Sequence, residues 1–385
     1  MKWTNKGHQY DMIGEKICAL GKKRAPFFIW GAGTFGIAFF ELFCKEIEII
    51  GFIDSDPLKW GQILCNVPVY SPNHLKDAKQ FVLVSSGWTK DIYDKLEELG
   101  YSRGQDYLHI DDFTSLYYWY QYRKVYLSDI TYMITERCSL RCEKCNAFIP
   151  KISNPVNFPI EFIERDFEQF FACVDNVNVL GLSGGDAMMH PQFADILESL
   201  VQKYYPSNVS HFEVYSNAVI IPDQRVLQIM KKYDVFYRFS DYRPYTEGRQ
   251  KVEEVISFLL ENGIRYDHVR FESWRDCGYP QESNGIQGQE NLIHFFDACD
   301  RKSCHRLYDG SLLYCGMAKC ADRIDYCKLD SSDVFDLTGC TESKRIELIE
   351  YMLGYSEKGY MNYCQMCSGG FNINDKLIEA GKQLK

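Results

Sequence analysis

Three cysteines within eight residues, Cys138, Cys142 and Cys145, constrain this chain more than any other feature. They stand at Cys-x3-Cys-x2-Cys spacing, just past the strand-like run Ile130-Thr131-Tyr132-Met133-Ile134. A four-iron cubane normally takes four thiolates. Three in one loop point to a cluster held at three of its irons, with the fourth open to chelate a small molecule and do chemistry. A structural zinc site is the competing reading. Zinc usually draws its ligands in two Cys-x2-Cys pairs, and no second pair lies near Cys142 and Cys145.

The cysteine count also bears on compartment. Sixteen in a secreted chain would imply disulfides. Met1 to Gly21 lacks the apolar core of a signal peptide. Lys22-Lys23-Arg24 ahead of the apolar stretch Phe27 to Phe40 imitates a signal anchor. Gly31, Gly33 and Gly36 break that stretch, and it is too short to span a bilayer. The expectation is a reducing cytoplasm, metal-bound thiolates and no membrane attachment. A net charge of −10 argues against nucleic acid as the partner. A chain of 385 residues, 46% apolar and 25% charged, suffices for two or three globular domains.

The predicted fold class is α/β, in three parts. In residues 1–115 the apolar runs Phe27–Trp30, Ile47–Ile53 and Phe81–Val84 read as strands separated by helices, the alternation of a parallel sheet. The aromatic stretch Tyr117 to Tyr126 reads as a connecting helix. In residues 126–298, strands at Thr131–Thr135, Val177–Leu182, His211–Tyr215 and Val235–Phe239 alternate with helical runs such as Ile160–Cys173 and Phe193–Tyr204. Such βα repeats suit an open or partial (β/α) TIM-type barrel, whose active site lies at the C-terminal strand ends. Residues 299–385 are cysteine-rich and short on periodic pattern, a part stapled by metal as much as by its own core.

Motifs at the expected strand ends carry a family resemblance. Leu182-Ser183-Gly184-Gly185-Asp186 is followed by His190-Pro191; Ser216-Asn217-Ala218 follows Val214-Tyr215; Ser240 follows Arg238-Phe239. Together with the cysteine loop, these resemble the radical S-adenosylmethionine (SAM) superfamily. The resemblance implies that Cys138, Cys142 and Cys145 hold a [4Fe-4S] cluster and that SAM binds its open iron. One-electron cleavage of SAM would then give a 5′-deoxyadenosyl radical that takes hydrogen from unactivated carbon. It also implies SAM contacts from Gly184, Gly185, Asp186, Ser216, Asn217 and Ser240. The chain departs from the family twice. Asp186 stands where Glu is usual, shortening its reach. Lys144 stands where an aromatic or apolar residue near the adenine is common, which leaves that packing to Phe148.

Cys304 and Cys315, with Gly310 five residues before Cys315, and the pair in Cys364-Gln365-Met366-Cys367 resemble the auxiliary-cluster domain of the SPASM/twitch branch. No cysteine follows Cys367, so the likeness is to the shorter twitch form. It implies a second [4Fe-4S] cluster held by these four thiolates and used for electron transfer. Zinc competes for the same set. Cys299, Cys320, Cys327 and Cys340 are small core residues on the plain reading, or a ligand or substrate-facing thiol on the sharper one.

Near the N-terminus, Gly31-x-Gly33-x-x-Gly36 follows a strand and opens a helix, and Asp54 ends the next strand. This is the context of a dinucleotide-binding fingerprint. The glycines let backbone N–H groups approach a phosphate at a helix N-terminus, and Asp54 would receive ribose hydroxyls. The part is too short for a two-lobed NAD fold. With Gly51-Phe52-Ile53-Asp54-Ser55-Asp56, Gly61 and Val67-Pro68-Val69, it resembles small Rossmann-like domains of nucleotide-sugar-modifying enzymes, some of which bind a UDP-sugar. A scaffold that binds nothing is the alternative.

The function these resemblances imply is a radical SAM oxidoreductase acting on a sugar or nucleotide-activated sugar. Hydrogen would leave a carbinol carbon, a base would take the hydroxyl proton, and the auxiliary cluster would accept an electron, with flavodoxin or ferredoxin as reducing partner. Epimerisation is the close rival, with Cys277, Cys299, Cys320 or Cys327 as thiol donor. A peptide-modifying maturase and a non-catalytic SAM- or nucleotide-sensing iron–sulfur protein are further readings. No catalytic base is identified: His190, Tyr242 and Arg243 follow strand ends, where such residues are more often structural.

Overall fold

Phe27, Phe28, Ile29 and Trp30 are all buried, because the first strand is covered on both faces. Successive side chains of a strand point to opposite sides. Phe28 and Trp30 join Val82, Val84, Ile92 and Leu96 in one core, while the Phe27 ring meets Phe113 at 5.8 Å. The computed structural model in which these contacts occur describes residues 1–86, 89–243, 245–300, 305–370 and 372–384.

The chain folds as two units, His8–Lys124 and Met1–Gly7 with Val125–Lys385. The first contains α1 (Asp11–Lys22), β1 (Pro26–Trp30), α2 (Thr34–Phe43), β2 (Glu48–Ile53), β3 (Ile63–Leu64), β4 (Val67–Tyr70), β5 (Phe81–Val84), α3 (Thr89–Glu98), β6 (Tyr107–His109) and α4 (Ile110–Tyr122). Its sheet runs β3-β4-β2-β1-β5-β6, parallel throughout except for β3 at the edge. The aromatic helix lies earlier than expected. Phe113, Thr114, Ser115, Leu116, Tyr117 and Trp119 are buried on α4, so it is covered on more than one face. The helix stops at Arg123, which is left-handed with φ 55°.

The second unit contains β7 (Tyr126–Thr135), α5 (Ile160–Cys173), β8 (Asn176–Gly184), α6 (Phe193–Tyr204), β9 (Val209–Ser216), α7 (Gln224–Tyr233), β10 (Phe236–Asp241), α8 (Val252–Glu261), β11 (Tyr266–Arg270), β12 (Ser273–Arg275), α9 (Gln289–Ala298), β13 (Arg306–Tyr308), β14 (Ser311–Leu313), α10 (Gly316–Arg323), β15 (Phe335–Asp336), α11 (Glu342–Met352) and β16 (Leu377–Glu379). Its main sheet runs β11-β10-β9-β8-β7-β13-β14-β15 and does not close into a barrel. β7 to β11 are parallel neighbours in sequence order. Helices α5, α6 and α7 make the first three crossovers; α6 buries Ile196, Leu197, Leu200, Val201 and Tyr204 along one stripe. Residues 299–385 share this unit: β13 pairs with β7, and β14 and β15 continue the sheet beyond it.

Cys173 at the end of α5 and Cys340 just before α11 form a disulfide, with Cα atoms 5.6 Å apart. That separation lies in the range a disulfide needs. Among the described residues, no helix is long and apolar enough to cross a membrane.

Candidate functional site

Parallel strands β7 to β10 deliver their C-terminal ends to one edge. Thr135 of β7 pairs with Gly184 of β8, and Ser216 of β9 with Phe239 of β10. The cysteine loop is seated there by the glycine pair. Gly185 N–H donates to the Thr135 carbonyl and Asp186 N–H to the Arg137 carbonyl, both at 2.9 Å. A Cβ on Gly185 would lie 2.4 Å from the Arg137 oxygen and 2.7 Å from Cys138 Cβ. Only a residue without a side chain allows that approach.

Cys142 is buried, and Cys138 and Cys145 are half-buried. Side-chain amides donate to two of the sulfurs: Asn217 Nδ2 to Cys138 Sγ at 3.4 Å and Gln383 Nε2 to Cys142 Sγ at 3.3 Å. Leu140 N–H adds a third bond, to Cys138 Sγ at 3.4 Å. Burial pushes the Cys138 thiol up to about 12 and Cys142 to about 11, and raises Cys145 as well. Such thiols keep their protons unless a cationic centre takes the protons' place. Buried sulfurs that accept N–H bonds fit an iron–sulfur cluster, whose potential is set partly by bonds of this kind.

Two glutamines that no sequence motif marks hold this site together. Gln383 forms an antiparallel bridge with Cys142. Its Oε1 accepts from Arg141 N–H at 2.8 Å, while Glu143 N–H donates to Lys382 C=O at 2.7 Å. Gln250 Nε2 donates to the carbonyls of Asn217 at 2.6 Å and Ser240 at 2.7 Å, and its Oε1 accepts from Tyr242 N–H at 2.8 Å. It thereby ties the ends of β9 and β10. The only signal either residue gave is an uncharged polar side chain at a position that is buried once folded.

Several expected contacts are used internally. Asp186, 1% exposed, accepts from Met188 N–H at 3.0 Å, Asn217 N–H at 3.1 Å and Ser216 Oγ at 3.2 Å from each oxygen. Burial dominates and raises its pKa, with those hydrogen bonds pulling the other way. Its carboxylate therefore locks the Ser216-Asn217 turn to the end of β8. Phe148 does not offer a free ring. It is 4% exposed and packs on Tyr279, Tyr326 and Tyr363 at 4.9, 6.0 and 6.4 Å. Lys144 Nζ donates to the Tyr279 carbonyl at 2.6 Å. His190 is buried and hydrogen-bonded to backbone at both ring nitrogens.

A second group of sulfurs lines one cavity: Cys277, Cys299, Cys315, Cys364 and Cys367. Cys304 lies outside the described residues. Cys277 and Cys299, two of the thiol-donor candidates, therefore share a chamber with three expected cluster ligands. A hydrogen bond with Cys277, followed by burial, raises the Cys367 thiol, and burial raises Cys364. Tyr363 lines this cavity and an adjoining one, which both Cys145 and Cys277 also line. Its hydroxyl is buried without a hydrogen-bond partner among the described residues. Cys320 lines a separate cavity. Cys327 lines none of these three cavities, and burial raises its thiol. Among the described residues, no three His, Cys, Asp or Glu side chains converge on one metal-ion position.

In the unit His8–Lys124, the glycine loop sits between β1 and α2. Gly31 has φ +123°, and a Cβ on Gly36 would lie 2.0 Å from the Gly31 oxygen, so both are demanded by backbone geometry. Gly33 faces open space and precedes α2, whose N-terminus has no side-chain cap. Asp54, expected to receive ribose hydroxyls, is already hydrogen-bonded. It accepts from Ala32 N–H at 2.8 Å and Asp56 N–H at 2.9 Å and pairs with Lys59 at 2.9 Å. Burial would raise its pKa, but the Asp56, Lys59 and Ala32 contacts together hold it below the usual value.

No family model matches the chain, and no curated protein matches it. Among solved structures it is similar to BtrN in complex with AdoMet and 2-DOIA, at 12% identity and TM-score 0.42, over 65% of this chain and 98% of that one. It is similar to native anSMEcpe with bound AdoMet and Cp18Cys peptide at 14% identity and TM-score 0.31, over 38% of this chain and 44% of that one. A likeness to RSP, a Rex-family repressor, has 19% identity and TM-score 0.21, over 24% of this chain and 48% of that one. The matched stretches thus span less than half of the latter two proteins. At such identities, none of these partial likenesses fixes a ligand or an activity for this chain.

Proposed function

We propose that this chain is a radical SAM enzyme with two iron–sulfur clusters, acting on a sugar or nucleotide-activated sugar. The observation that carries the reading is the cysteine loop. Three buried or half-buried thiols sit at the C-terminal edge of a parallel sheet, seated on Gly184-Gly185 and met by amide donors. Cys138, Cys142 and Cys145 would hold the first cluster. Asn217, Gln383 and Leu140 N–H hold the sulfurs in place, and Asp186 and Gln250 hold the turns around them. When bound, an open cluster with SAM supplies a carbon-centred radical able to take hydrogen from unactivated carbon.

Cys315, Cys364 and Cys367 would hold the second cluster, with a fourth thiolate from Cys277, Cys299 or Cys304. Such a cluster suits electron transfer, and hence dehydrogenation of an alcohol, with flavodoxin or ferredoxin as donor to the protein. The Rossmann-like order of the first sheet and the uncapped start of α2 support a nucleotide-binding role for that unit. Asp54, bonded to Ala32 N–H and Asp56 N–H, shapes the glycine loop and keeps acceptor capacity for ribose hydroxyls. Epimerisation remains the second reading, favoured by Cys320, a thiol facing a cavity that Glu136, two residues before Cys138, also lines.

Anaerobically reconstituted full-length protein, given SAM and dithionite, is expected to form 5′-deoxyadenosine. Intact clusters with no such product, whatever the substrate, would contradict the enzyme reading in favour of a sensor. SAM consumed per product, with deuterium uptake from solvent, separates oxidation from epimerisation.

A further inference from the structure

We propose that the cavity lined by Glu136 and Cys320, beside the cysteine loop, binds a phosphate or carboxylate through Arg306, and that the small-molecule substrate carries this anionic group. The second half rests on the enzyme reading above; the first does not. Glu136, Arg306, Lys319 and Arg323 line the cavity, giving three cations and one carboxylate. Glu136 is taken by Arg323, whose Nε and Nη2 donate to it at 2.7 and 3.0 Å. Lys319 pairs with Asp322 at 3.2 Å. Arg306 has no such partner among the described residues. Its Nη1 faces two sulfurs, Cys320 at 3.2 Å and Met133 at 4.0 Å, and its buried Nε has no hydrogen-bond partner.

The guanidinium is also held where a cation alone is disfavoured. A Cβ on Gly316 would lie 2.8 Å from Cζ, Nε and Nη2 of Arg306, so the group lies against the backbone of the first residue of α10. That helix has no side-chain N-cap bond and no acid in its first turn. The positive end of a helix dipole repels a cation and attracts an anion. The guanidinium therefore has a need that an anion meets, through charge-assisted bonds to a donor otherwise left buried and unpaired. Met133 of β7 and Glu136, two residues before Cys138, stand on the wall of this cavity beside Cys320, which sets it against the start of the cysteine loop.

The test is calorimetric titration of inorganic phosphate and, separately, acetate into the anaerobically purified full chain. Native protein is expected to bind at least one of them at a single site. Arg306→Gln should weaken that binding on the order of tenfold or more, while Arg225→Gln, on an exposed surface, should leave it unchanged. Tighter phosphate binding assigns the site to a phosphorylated substrate, and tighter acetate binding to a sugar acid; either supports the proposal. No binding of either ion, undiminished binding by Arg306→Gln, or equal loss in Arg225→Gln overturns it. Should Arg306→Gln fail to fold, Arg306→Lys decides: weaker binding than native supports the site, equal binding overturns it. The titration needs neither SAM nor reductant, so its failure and a failure to form 5′-deoxyadenosine are separate results.

Discussion

A methyl group at position 185 would strike the Arg137 carbonyl and Cys138 Cβ. Gly185→Ala is therefore expected to cost about 1–3 kcal/mol through overpacking and to displace the cysteine loop. Urea unfolding and iron content per chain should both fall. His190 gives a pH signature. Its Nδ1 accepts from Gln192 N–H at 3.1 Å, so Nε2–H donates to the Phe158 carbonyl at 3.0 Å and the ring is neutral. Burial, the larger influence, holds its pKa below 6.5, with the Phe158 bond opposing. The unfolded chain takes up a proton near 6.5 that the folded one refuses, so this contribution is intact above 6.5 and is lost as pH falls below it. Stability measured from about pH 7.5 to about pH 5.5 should decline less steeply in His190→Gln. Sequence made the residue types legible at this scale and left their orientations hidden. Cys138, Cys142, Cys145 and Gly184-Gly185 announce themselves because their partners are close in the chain. What sequence did not show is that neighbouring N–H groups also bond to the Asp186 and Asp54 carboxylates.

Among elements, the strand runs were readable where apolar residues persist. The expected Val177–Leu182 and His211–Tyr215 lie inside β8 and β9. Strands β13, β14 and β15, at two or three residues each, are too short to show a period, so the continuation of the sheet past β7 could not be read. The clamp by Gln383 was hidden for another reason: its partner Cys142 lies 241 residues away. Removing residues 382–385 should lower iron at the first site while leaving the second, since the bonds from Lys382, Gln383 and Leu384 to the cysteine loop go with it. Iron counts and electron paramagnetic resonance of the reduced protein would show whether one signal is lost or both. In the first unit, Gly36→Ala places a Cβ 2.0 Å from the Gly31 oxygen. It should destabilise that unit by about 1–3 kcal/mol, seen as a lower Tm, whether or not the unit binds a nucleotide.

For the whole molecule, composition and βα alternation made an α/β chain legible, and the second unit's sheet is open. The cysteine-rich residues 299–385 read as a separate part because periodicity fails there, yet they share a unit with the parallel strands. Five cysteines from 277 to 367 meet in one cavity, a gathering that spacing alone could not reveal because only Cys364 and Cys367 are close in sequence. The most direct measurement is iron, sulfide and zinc per chain after anaerobic purification, in the native protein and in the triple variant Cys138→Ala, Cys142→Ala, Cys145→Ala. Two cubanes predict about eight iron and eight sulfide, with about half lost in the triple variant and 5′-deoxyadenosine formation lost entirely. Zinc in place of iron, or a triple variant that keeps its full iron and its turnover, would contradict the account.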